Sequence, residues 1–116
     1  MQKDLNAVYA DYLKNLSIAE FTPMQEVVIE KSSLPDNLML LAPTGSGKTL
    51  AFLIAVVNRL SAQSTNVQAL IVAPSRELSL QIEQVFRTMK TSHKVSCCYG
   101  GHSVKIDFLV RIRIFQ

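Results

Sequence analysis

The chain has 116 residues, 48% hydrophobic and 18% charged, with a formal net charge of +3. That supplies apolar material for one small core and is too short for a two-domain enzyme. The composition excludes a disordered tail and a disulfide scaffold, and the scattered basic residues permit a polyanion partner without requiring one.

Leu5, Val8, Tyr9, Tyr12, Leu13 and Leu16 recur at spacings of three and four, which predicts one packing helix ending near Ser17. Thr22-Pro23-Met24-Gln25 then reads as a helix start. Thr22 suits the N-cap, Pro23 the first helical position, and Gln25 completes a capping box at N3. The helix is expected to run to about Lys31 with Val27 and Val28 inward, followed by a turn at 32–37 containing Pro35. Leu38 to Leu41 is a short apolar run, read as a strand because of the loop that follows it.

Beyond that loop, Leu50 to Val57 is apolar without a break, as in a helix buried on several sides. Its length falls far short of the ~20 residues that cross a membrane, and the N-terminus lacks the apolar core of a signal peptide. Ala69 to Ala73 predicts a second strand. Leu78, Ile82, Val85, Phe86 and Met89 predict another one-sided helix, and Lys94 to Tyr99 a third strand ended by Gly100-Gly101. Alternating strands and helices imply crossover units in a parallel α/β sheet covered on both faces.

Cys97 and Cys98 are adjacent and lack metal-ligand spacing, so both read as reduced thiols of a cytoplasmic protein. His93 and His102 have no partner at catalytic or metal spacing and read as surface or turn residues.

Ala42-Pro43-Thr44-Gly45-Ser46-Gly47-Lys48-Thr49 carries the clearest chemistry. It matches the Walker A phosphate loop except for Ala42 at the first glycine position. Gly45 and Gly47 let the backbone curl so that N–H groups point inward, and the following helix N-terminus adds unsatisfied donors. Lys48 would charge-pair with the β- and γ-phosphates, and Thr49 would face Mg²⁺. A nucleoside triphosphate with Mg²⁺ is the ligand class this implies. A dinucleotide GxGxxG fingerprint is absent.

With that loop, three further segments resemble the first RecA-like domain of a DEAD-box ATP-dependent RNA helicase. Phe21-Thr22-Pro23-Met24-Gln25 resembles the family's Q motif. Ala42 to Thr49 is its motif I, which usually begins with alanine. Pro74-Ser75-Arg76-Glu77-Leu78 resembles motif Ia with Ser75 in place of threonine, and Gly100-Gly101 its glycine doublet. The resemblance implies a P-loop NTPase with a RecA-like parallel sheet and flanking helices, a truncated three-layer domain over 1–103.

It further implies ATP and Mg²⁺ as ligands, with Lys48 and Thr49 as the catalytic pair on the loop. Phe21, Thr22 and Gln25 would form the adenine pocket. The Gln25 amide can accept from the exocyclic amine and donate to N7, and closing the capping box stands beside that as its structural role. Pro74, Ser75, Arg76, Gly100 and Gly101 would contact the RNA backbone without sequence preference. Glu77 would organise the motif. The family's adenine-stacking aromatic would fall before Met1, so weaker nucleotide binding is expected.

The sequence after Gly101 contains no Asp-Glu-Ala-Asp stretch and no Thr-Pro-Gly-Arg segment, and Asp107 is the sole acid there. A binding half-site is therefore expected, with hydrolysis and unwinding dependent on the rest of a helicase core. Residues 104–116 read as an atypical tail: Val104, Ile106, Phe108, Val110, Ile112 and Ile114 alternate with other residues as in a strand. An exposed apolar edge strand there would invite self-association. Two other readings remain open: a DNA helicase of the same superfamily, and a non-catalytic interaction protein that would survive Lys48→Ala.

Overall fold

The computed structural model describes residues 4–34, 36–64, 66–98 and 110–115. The chain divides into two compact units, Met1–Arg59 and Leu60–Gln116.

Among the described residues, the first unit holds the helices α1 Leu5–Val8, α2 Ala10–Asn15, α3 Pro23–Lys31 and α4 Lys48–Val57. The single N-terminal helix expected from periodicity is divided at Tyr9, whose φ of −107° and ψ of 27° leave the helical region. Tertiary contacts account for the break. The Tyr9 ring stacks on Tyr12 and meets the Phe21 edge, both at 6.0 Å between centroids, and its hydroxyl accepts from Asn58 Nδ2 at 2.8 Å. α2 ends in a Schellman motif. Ser17 takes φ 57°, Ser17 N donates to Lys14 O, and Ile18 N donates to Leu13 O.

α3 begins with the expected capping box and packs against α4. Its inward face differs from the expectation. Gln25, Val28, Ile29 and Ser32 are buried, whereas Val27 is 49% exposed. The buried positions lie at spacings of three and four, so turning Gln25 inward carries Val27 to the opposite side. Arg59, just beyond α4, donates to Ser32 O at 3.1 Å and Leu34 O at 2.6 Å, closing the turn after α3.

The strand expected at Leu38–Leu41 does not form. Residues 37–43 carry neither helix nor strand, and Met39 and Leu41 are 83% and 87% exposed. A strand requires a ladder partner for its backbone groups, and the strands among the described residues all lie in the second unit.

The second unit holds β1 Ala69–Val72, α5 Arg76–Met89, β2 Lys94–Cys98 and β3 Val110–Phe115. The sheet order is β1-β3-β2 and both pairings are parallel. Ile112 pairs with Ala69 on one side and Val95 on the other, with an irregularity between Lys94 and Val95. α5 packs on β2 and β3. Its buried stripe of Ile82, Phe86 and Met89 supplies one side of this core, and the fully buried Ile112 and Ile114 supply the other. β1 is covered less completely than a sheet buried on both faces would be, with Leu70 and Val72 exposed.

The tail strand is therefore the middle strand of the sheet rather than an edge. Its ladder groups are shared with β1 and β2, which removes the unpaired edge on which self-association through this segment was expected.

Candidate phosphate loop and nucleic-acid surface

The loop before α4 folds as its glycines demand. Gly45 takes φ 82° and Gly47, the N-cap of α4, takes φ 91°. Side chains rarely adopt this left-handed region. Ser46 N donates to Pro43 O at 3.2 Å and tightens the turn. Lys48 opens the helix, and its Nζ folds back to donate to Ala42 O at 2.6 Å. Thr49 is half-buried in the first turn. The Ser46 hydroxyl is buried and has no hydrogen-bond partner among the described residues. Pro43, Thr44 and Gly45 are exposed, so the loop combines an open rim with an unsatisfied donor inside.

Gln25 reaches this loop from α3. Its Oε1 accepts from Thr22 N at 2.9 Å, while Thr22 Oγ1 accepts from Gln25 N at 3.2 Å. Its Nε2 donates to Gly47 O at 3.1 Å. A side chain at Gly47 would overlap that amide nitrogen, so Gly47 is constrained by its neighbour as well as by its φ. Gln25 is 4% exposed, and one amide hydrogen and one carbonyl lone pair remain beyond these bonds. The capping role is thus observed directly, and the bond to the phosphate loop is one that sequence spacing did not reveal.

Phe21 is buried against Tyr9, and its N donates to Asn6 Oδ1 at 2.9 Å. Its ring is part of the packing that places Thr22 and Gln25.

In the second unit, Ser75 caps α5 as expected. Its Oγ accepts from Leu78 N at 3.2 Å, and Ser75 O accepts from Ser79 N and from Ser79 Oγ, both at 3.1 Å. Pro74, Arg76 and Glu77 are exposed around this helix start. An exposed arginine beside the first-turn amides is a surface that can meet a phosphate diester. Gly100, Gly101 and His102 lie outside the described residues, as does Asp107. His93 is in the turn before β2, its N donating to Thr91 Oγ1. Cys97 and Cys98 are free and buried. Among the described residues no His, Cys, Asp and Glu cluster could hold a metal, and no helix is long and apolar enough to cross a membrane.

The loop suits a nucleotide phosphate on two observations of the chain itself: the unpartnered Ser46 hydroxyl and the left-handed glycines that open the backbone.

Residues 22–114 match the family profile described as DEAD/DEAH box helicase. The match takes in most of the 104–116 segment. The ATP-dependent RNA helicase CshA of Listeria monocytogenes is 36% identical over 94 residues, covering 79% of this chain and 18% of that protein. The DEAD-box ATP-dependent RNA helicase RhpA of Helicobacter pylori is 40% identical over 98 residues, covering 80% of this chain and 20% of that protein. The chain thus spans about a fifth of the length of these curated relatives. A solved structure of Saccharomyces cerevisiae Dbp5 superimposes with a TM-score of 0.79 over 92% of this chain and 30% of that one. Its 20% identity speaks to the fold alone, and it agrees with the RecA-like α/β expectation. The chain belongs to the DEAD/DEAH box helicase family, and its resemblance is to the N-terminal RecA-like domain of the RNA helicases in it.

Proposed function

We propose that this chain is the ATP-binding and RNA-backbone-contacting part of an ATP-dependent RNA helicase. The reading rests chiefly on the loop at the start of α4, where an unpartnered buried Ser46 hydroxyl lies beside the left-handed Gly45 and Gly47. Backbone amides of 44–49 would cradle the phosphates, and Lys48 would exchange its bond to Ala42 O for the β- and γ-phosphates. Thr49 would hold Mg²⁺ through the nucleotide, and the ion would neutralise phosphate charge. Gln25 would read adenine with its remaining hydrogen and lone pair while its existing bonds keep it against the loop.

Ser75, Arg76 and Pro74 at the start of α5, with Gly100 and Gly101, would contact RNA phosphate and sugar. Such contacts position a strand without reading its sequence. The rest of a helicase core would be the protein partner that supplies hydrolysis. A cytoplasmic setting suits two buried, unpaired cysteines.

Calorimetric titration with ATP and GTP tests the reading. The unmodified chain is expected to prefer ATP. Lys48→Ala should weaken ATP binding by about 10- to 100-fold, the loss of one or more charge-assisted hydrogen bonds. Gln25→Ala should remove the preference for adenine over guanine. Equal ATP affinity in the Lys48→Ala variant and the unmodified chain would refute the reading.

A further inference from the structure

Phe21 is held by its backbone and by its ring. Asn6 Oδ1 accepts from Phe21 N at 2.9 Å, and the Tyr9 ring meets the Phe21 ring edge at 6.0 Å. Asn6 is itself fixed at the start of α1, where Asn6 N and Ala7 N both donate to Asp4 Oδ1, the N-cap. Residues 18–22 carry neither helix nor strand. The Asn6 bond therefore stands where a ladder or helical bond would otherwise fix Phe21 N.

Phe21 leads straight into Thr22, whose N donates to Gln25 Oε1 at 2.9 Å, while Gln25 Nε2 donates to Gly47 O at 3.1 Å. A backbone N–H only donates and a backbone carbonyl only accepts, so these two partners allow the Gln25 amide a single orientation. Turned over, the amide would set oxygen against the Gly47 carbonyl and its NH2 against the Thr22 N–H. That orientation is what would separate the purines. Adenine presents an exocyclic amine beside N7, and guanine presents a carbonyl there. A pinned amide meets the amine with its oxygen, whereas an amide free to turn could offer its NH2 to the guanine carbonyl.

We infer that Asn6 is a positioning residue for adenine recognition: by holding Phe21 N it fixes the Thr22 N–H that locks the Gln25 amide against the phosphate loop. The inference rests on the adenine reading of Gln25 under the proposed function. Tyr9 supplies an internal comparison. Its hydroxyl accepts from Asn58 Nδ2 at 2.8 Å at the C-cap of α4, the opposite end of that helix from Gly47.

The test is calorimetric titration of the full chain with ATP and with GTP. Asn6→Ala removes the acceptor. Asn6→Leu does so with the side-chain volume nearly kept, so a folding failure in one leaves the other measurable. The preference for ATP over GTP is expected to narrow by about 3- to 10-fold, the range of one net hydrogen bond. Asn6→Asp, whose carboxylate can accept from the same N–H, should restore it. Tyr9→Phe should lower the thermal midpoint and keep the preference. An unchanged preference in Asn6→Ala and Asn6→Leu, with the preference lost in Gln25→Ala, overturns the role of Asn6 and leaves the adenine reading standing. A preference that survives Gln25→Ala overturns both together. Equal narrowing in Tyr9→Phe, or no restoration by Asn6→Asp, shows a packing effect alone and overturns the inference.

Discussion

Gly47 is held to its identity by two separate forces: its φ of 91°, and the Gln25 amide lying where a Cβ would project. These can be pulled apart by mutation. Gly47→Ala should cost about 1–2 kcal/mol from the left-handed backbone, with a further loss from displacing Gln25. Adding Gln25→Ala should recover the second part and leave the first. A double-mutant cycle by urea unfolding measures the difference, and strict additivity of the two single variants would show that the residues do not interact. Thr22, Pro23 and Gln25 announce their capping box openly, because the partners are three positions apart. The Gln25–Gly47 bond spans 22 positions, and no local spacing rule encodes it.

Among the elements, α4, α5 and the β1 and β2 strands follow their sequence signals closely, and α3 does so in its start and end though not in the face it buries, since caps and apolar periodicity are local. The departures occur where a distant partner decides. Tyr9 breaks its helix to meet Phe21 and Asn58. Leu38–Leu41 has the composition of a strand without a ladder to join. The alternation around Ile112 and Ile114 identifies β3 as a strand, but periodicity says nothing of sheet order, and the pairing on both sides makes it central.

β2 carries a pH signature. Burial above all pushes the Cys97 thiol up from its ordinary 9.0, with Glu83 and Cys98 adding and Arg87 opposing. As pH rises the unfolded thiol ionises first, so the folded state binds more protons and stability falls. The contribution is complete below the unfolded thiol's range and is lost as pH climbs through it toward the folded value. Urea unfolding between neutral pH and about pH 10 should show a smaller alkaline loss in Cys97→Ala than in the unmodified chain.

At the scale of the whole molecule, the family assignment and the chain's own residues point to different capacities. The family takes its name from an acidic motif that this sequence does not contain after Gly101. Binding and turnover should therefore separate. The chain is expected to hold ATP while its phosphate release stays at the level of the buffer, with or without RNA, in a coupled-enzyme assay. Robust RNA-stimulated turnover would show that another residue orients the attacking water. The candidate phosphate loop is contiguous in sequence and was legible there as a motif, whereas its bonds from Gln25 to Gly47 O and from Lys48 to Ala42 O were not.

Under the proposed function, the bond from Lys48 Nζ to Ala42 O would give nucleotide capture a kinetic shape. A lysine bonded to its own loop would have to let go before serving a phosphate, and the receptive molecules would be those in which it has. Apparent affinity is the intrinsic affinity scaled by their fraction. If release is the slower step, the observed association rate will level off as ATP concentration rises, whereas direct capture would keep it climbing in proportion.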